Sequence, residues 1–103
     1  MNLLEPTPKE LEGQIAVVTG SAQGLGLGMV AALAELGAHA IIADVQSVKA
    51  KSEAARLAAK GLKVEARLLD VADSQQVDRF FSAVVDEHGT LDILVNNAGV
   101  GQT

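Results

Sequence analysis

The sequence predicts an alternating α/β chain in which a parallel sheet is packed under helices. Four short apolar, β-branched runs alternate with helix-forming stretches, and glycines stand where those helices should stop. The chain has 103 residues, 49% of them hydrophobic but only two phenylalanines, with no tryptophan and no tyrosine, so Ala, Val, Ile and Leu must build the core. Small aliphatic side chains of that kind suit strands covered on both faces. One globular unit is expected, from residue 13 to 103, preceded by an extension over residues 1–12.

The first strand is expected at about Gln14 to Thr19, and the first helix from about Leu25 to Leu36, stopped by Gly37. A second strand, about His39 to Ala43, ends at Asp44. Ser47 then serves as the cap of a second helix rich in Ala, Lys and Glu, which stops at Gly61. The third strand spans about Lys63 to Leu69 and runs into Asp70-Val71. The third helix opens on Asp73 as its cap, with Gln76 three residues on, and continues to Glu87 before Gly89; Val77, Phe80, Phe81, Val84 and Val85 are its expected buried stripe. The fourth strand, Leu91 to Val95, is apolar on both faces apart from Asp92.

Between the first strand and first helix lies Thr19-Gly20-Ser21-Ala22-Gln23-Gly24-Leu25-Gly26. In a right-handed βαβ unit the helix points its N-terminus at the carboxyl end of the strand, where free N–H groups and the positive end of the helix dipole meet an anion. Glycines at 20, 24 and 26 remove the Cβ atoms that would block the tight turn, the approach of a pyrophosphate and the packing of helix on strand. Gly26-Leu27-Gly28-Met29-Val30-Ala31 also fits the general dinucleotide pattern, but it lies too far past the strand, and Gly28 is expected inside the helix as a small packing residue. A nucleoside-triphosphate loop is excluded, because the glycine gap is three residues and Leu25 stands where a lysine is needed.

Asp44 lies 18 residues beyond Gly26, near the spacing of about 20 at which an acid grips a ribose. Its carboxylate can accept from both ribose hydroxyls of NAD and would repel a 2′-phosphate. Neither Gln23 nor Val45 is a base that could offset this, so NAD is expected over NADP. The fold class is therefore read as a Rossmann-type doubly wound parallel sheet, here with three helices and four strands in the order 3-2-1-4. The crevice falls between the first and fourth strands, and the fourth strand forms an edge. Two helices should cover one face of the sheet and the third helix the other.

Three motifs, Thr19-Gly20-x-x-x-Gly24-x-Gly26, Asp70-Val71 and Leu91-Asp92-Ile93-Leu94-Val95-Asn96-Asn97-Ala98-Gly99, together give the chain a resemblance to the short-chain dehydrogenases/reductases from Leu11 onward. The resemblance implies that Gly20, Ser21, Gln23 and Leu25 lie along the pyrophosphate and adenosine ribose. It implies that Asp70 and Val71 hold the adenine, and that Asn96 to Gly99, with Asn97, Ala98 and Gly99 in contact, lines the cofactor. Members of this family transfer hydride with a tyrosine, a lysine four residues later, a serine and a further asparagine. None of that machinery matches here, and in a longer member it would follow Thr103. No catalytic residue is therefore assigned within the chain, and an alcohol or ketone substrate belongs to a full-length form, expected to be a homo-oligomer.

The remaining features narrow the class. Thirteen acids against eight bases leave a net charge of -5, which disfavours nucleic acid. With no cysteine there is no disulfide or thiolate metal site, and with no signal-peptide pattern or long apolar run the expectation is a cytoplasmic protein away from membranes. His39 and His88 read as ordinary strand and helix-end residues, without a metal role. Three functions remain in view: the NAD-binding part of an oxidoreductase, a non-catalytic dinucleotide-binding module, and a methyltransferase, the last opposed by Thr19-Gly20 and Asn96 to Gly99.

Overall fold

The computed structural model describes residues 9–98. Their elements run β1 (Ile15–Thr19), α1 (Gly24–Glu35), β2 (His39–Asp44), α2 (Ser47–Ala58), β3 (Val64–Leu68), α3 (Ser74–His88) and β4 (Ile93–Val95). All pairings are parallel and the strand order is β3-β2-β1-β4, the arrangement expected from the alternation of elements. Because β1 and β2 are central, their residues are buried on both sides: Ala16, Val17, Val18, Ala40, Ile41 and Ile42 are all fully buried.

Period-two alternation divides the core into two layers. Val18, Ala40 and Ile42 face α1 and α2, meeting Val30, Ala34, Ala50, Ala54 and Leu57. Ile15, Val17, Ile41 and Ala43 face the other way, against Phe80 and Val84 of α3. One face thus carries two helices and the other one, as expected. On α1 the buried positions are Gly26, Val30 and Ala34, four residues apart, and their small size lets the helix sit close to the sheet.

The helix ends depart from expectation in informative ways. Asp73 caps α3 as predicted, accepting from the backbone N–H of Gln75 and Gln76 at 3.0 and 3.2 Å. The Gln76 side-chain oxygen, however, accepts from Asp70 N at 3.0 Å and so ties the helix start to the end of β3. Ser47 does not cap α2. Gln46 occupies the cap without a side-chain cap bond; its N–H, at 2.9 Å, and its side-chain amide, at 3.5 Å, both donate to the Asp44 carboxylate two residues earlier. Val85 leaves the expected stripe: it is 44% exposed, since five residues past Phe80 at about 100° per residue lies some 140° around the helix, outside an apolar face about 100° wide.

Gly28 is exposed with open space around its Cβ position, so it is not a packing residue. Within the expected extension, residues 9–12 fold as a turn against the end of α1, with Leu11 N donating to Leu36 O at 2.9 Å. Asp92 does not sit within β4 but just before it, where its Oδ2 accepts from Ile15 N at 2.8 Å and fixes the start of β4 beside the start of β1. No helix among the described residues is long and apolar enough to cross a membrane.

Candidate functional site

The register places Thr19 beside Ala43, Asp44 beside Leu68 and Val18 beside Val95, so the carboxyl ends of all four strands open on one side of the sheet. There the winding of the sheet reverses, with β2 and β3 on one side of β1 and β4 on the other, the place where open parallel sheets form a crevice. A cleft of about 360 Å³ occupies it. Of the residues predicted for the site, Gly20, Gln23, Asp44, Asp70, Val71 and Ala98 line this cleft, and Val45, Gln46, Leu69 and Ala72 complete the wall.

The glycine turn is built by steric necessity. Gly20 has φ +62°, a left-handed conformation, and its N–H donates to Ala43 O at 2.8 Å. A Cβ there would also lie 2.9 Å from Ala98 Cα, so the turn and the segment after β4 touch backbone to backbone. Gly24 opens α1 with φ +61° and is exposed. Gly26 is required for another reason: its Cβ would fall 2.5 Å from Asn97 Nδ2 and 2.7 Å from Gly20 O. Two remote pieces of sequence, the strand-to-helix turn and Asn97-Ala98, therefore close on one another.

The bond network explains that closure. Thr19 Oγ1 accepts from Asn97 N at 3.0 Å and from Ala98 N at 3.1 Å, while Asn97 Nδ2 donates to Gly20 O at 2.9 Å. Asn97 thus spends its side-chain amide on the turn. Thr19, to which the sequence reading gave no role of its own, is the central brace; only its place at the last position of β1 could have signalled this. Ser21 is fully buried, with Oγ donating to Val18 O at 2.6 Å, and its side chain points away from the cleft. Leu25 is 74% exposed and, like Ser21, Gly24, Gly26 and Asn97, does not line the cleft. Gly99 lies outside the described residues.

Asp44 is the buried carboxylate of the site. It is 6% exposed; Oδ2 accepts from Ala22 N at 3.0 Å, and Oδ1 from Gln46 N at 2.9 Å and Gln46 Nε2 at 3.5 Å. A carboxylate offers about four lone-pair positions, so acceptor capacity remains toward the cleft. Asp70 similarly accepts from Ala72 N at 2.9 Å in a short turn, and Val71 is half-exposed beside it.

The walls contain two acids and no lysine or arginine. Positive character comes from backbone alone: α1 begins at Gly24, its cap residue Gln23 makes no side-chain cap bond, and its first turn holds no acid. By contrast, α3 has its own carboxylate at its start. The free N–H groups and dipole of α1 are thus left for an external anion. The start of α2 also lacks a side-chain cap, but it has no glycine turn before it.

Comparison with known proteins gives a family match. The model of the short chain dehydrogenase family matches residues 14–103. Galactitol 2-dehydrogenase of Agrobacterium fabrum is 45% identical over 92 residues, covering 87% of this chain and 34% of that protein. 2,3-Dihydro-2,3-dihydroxybenzoate dehydrogenase of Bacillus subtilis is 41% identical over 92 residues, covering 89% of this chain and 35% of its own. Among solved structures, a metagenomic short-chain oxidoreductase in complex with NADP superposes with a TM-score of 0.85 at 36% identity, over 89% of this chain and 42% of that one. Hydroxysteroid dehydrogenase from Escherichia coli gives 0.84 at 28% identity, over 91% and 40%. The chain spans about a third of the length of these two curated relatives.

Proposed function

The chain belongs to the short-chain dehydrogenase family, and from that membership we propose that it is the cofactor-binding portion of an oxidoreductase passing hydride between a nicotinamide dinucleotide and an alcohol or ketone. The observation that carries this reading is the uncapped start of α1 opening on a cleft in which Asp44 stands beside the glycine turn, accepting from Ala22 N. A pyrophosphate would take the α1 N–H groups, the adenosine ribose the spare acceptor capacity of Asp44, and the adenine the Asp70-Val71 rim. The bound cofactor supplies the hydride acceptor or donor; the residues of this chain bind it and orient it.

NAD is the proposed form. No lysine or arginine lines the cleft, and a 2′-phosphate set against the buried Asp44 would meet an uncompensated negative charge. The metagenomic relative was solved with NADP, so the choice is a property to be tested in this chain rather than taken from the family. With no tyrosine among its 103 residues, the chain by itself is proposed to bind without turning over, and the substrate pocket to be formed by groups outside it. A cytoplasmic setting and a homo-oligomeric full-length form complete the proposal.

Isothermal titration with NADH and NADPH tests it. The expected result is one-to-one binding of NADH, at least about tenfold weaker binding of NADPH, the scale of roughly 1.4 kcal/mol, and no oxidation of NADH with ketones. Equal affinity for the two cofactors overturns the preference, and ketone-dependent turnover by the chain alone overturns the division of labour.

A further inference from the structure

At the other end of the sheet from the glycine turn, where His39 pairs with Ile15 at the start of β1, three elements bring together the only two histidines of the chain and one glutamate. His39 opens β2, Glu65 lies on β3 and His88 ends α3. Glu65 Oε1 is 2.7 Å from His39 Nε2 and 2.9 Å from His88 Nε2. The two imidazole rings are 4.7 Å apart, tilted by 47°, and all three ligand atoms lie within 4.8 Å of one another. We propose that His39, Glu65 and His88 form a site for a divalent transition-metal ion of the zinc or cobalt type, clamping the end of α3 to β2 and β3.

Two imidazole nitrogens and one carboxylate oxygen are a donor set that such ions take, whereas magnesium and calcium prefer oxygen throughout. Bonds of about 2.1 Å in a tetrahedral arrangement set ligand atoms about 3.4 Å apart. The carboxylate must therefore move outward from the rings by less than about 1 Å, and the two ring nitrogens, which lie within 4.8 Å of each other, must close by up to about 1.4 Å around the ion. Each ring would carry its proton on Nδ1, freeing the Nε2 lone pair that faces Glu65. The side chains are 20 to 31% exposed, which leaves an entry path and a fourth position for water.

The surroundings hold the carboxylate in place for this role. Arg67 Nε donates to the other oxygen, Oε2, at 3.0 Å, and the same guanidinium is bonded to Glu87, so Oε1 stays turned toward the histidines. An outer partner on a ligating carboxylate is the usual companion of a metal site. A chain of net charge -5 also attracts cations rather than anions.

Because the chain has two histidines and no cysteine, imidazole-dependent binding has one place to occur. The untagged full chain is titrated with Zn2+, recording binding heat and the ring-proton NMR signals of both histidines. The expected result is saturation at one ion per chain, with both histidine signals changing at the same midpoint and Mg2+ without effect. His39→Asn and His88→Asn should each weaken binding at least about tenfold. No saturable binding, a response from only one histidine, or undiminished binding by the double variant overturns the proposal. The wild-type NMR readout decides even where a variant fails to fold, since independent changes of the two rings mean a hydrogen-bonded cluster and no shared ion.

Discussion

Replacing Gly26 and Gly28 by alanine, one at a time, should move stability in opposite directions although the two positions lie two residues apart on the same helix. At Gly26 the new Cβ would lie 2.5 Å from Asn97 Nδ2, 2.7 Å from Gly20 O and 2.9 Å from Ser21 Cα. Two of these are backbone atoms and cannot turn aside. Overpacking of this kind costs about 1–3 kcal/mol, and displacing Asn97 from Gly20 O loses a bond worth about 1 kcal/mol. Better helix propensity returns up to about 1 kcal/mol, leaving a net loss of about 1–3 kcal/mol. At Gly28 nothing lies within 4 Å of the added carbon, so only the propensity gain of roughly 0.5–1 kcal/mol remains. Urea unfolding followed by circular dichroism reads both changes. For a domain of this size 1 kcal/mol shifts the melting temperature by about 4–8 °C. The packing argument is refuted if Gly26→Ala is as stable as wild type, or if Gly28→Ala loses as much as Gly26→Ala.

Thr19→Val keeps the shape but leaves the N–H groups of Asn97 and Ala98 without their acceptor; urea unfolding should show a loss of about 1–3 kcal/mol, with Thr19→Ser close to wild type. Asp44→Ala frees Ala22 N and Gln46 N, so it should reduce stability by about 1–3 kcal/mol and also abolish measurable NADH binding in a titration of the folded variant. Asp73→Ala removes the α3 cap and should cost about 0.5–2 kcal/mol in urea unfolding while leaving NADH affinity unchanged. Sedimentation of the chain alone should show concentration-dependent association, because β4 is an edge strand with Leu94 45% exposed; a monomer at every concentration contradicts this.

The strand order and the helix positions were legible because they rest on local signals: β-branched runs for β1 and β2, Gly37 and Gly89 after helices, Asp73 at a start. The cleft was legible in part for the same reason, since Gly20, Asp44 and Asp70 each stand at a strand end and the topology alone gathers those ends. What escaped depends on side-chain direction or long-range pairing. Ser21 turns inward because its hydroxyl finds Val18 O, and the Asn97 amide is drawn to Gly20 O; neither choice is written in residue type. Ser47 loses the capping role because it is already the first residue of the helix, with Gln46 at the cap position. His39, Glu65 and His88 are separated by 26 and 23 residues and meet only because β2, β3 and α3 pack together.

Amide chemical-shift mapping of the folded chain with NAD and with ADP-ribose tests the cofactor reading most directly. Saturable changes are expected at Gly20, Gln23, Asp44, Asp70 and Val71 with both ligands, and similar affinities for the two, because the proposed contacts are to the pyrophosphate and adenosine half. An absence of saturable changes at the α1 start and Asp44, in a chain whose spectrum is that of the folded protein, would contradict it.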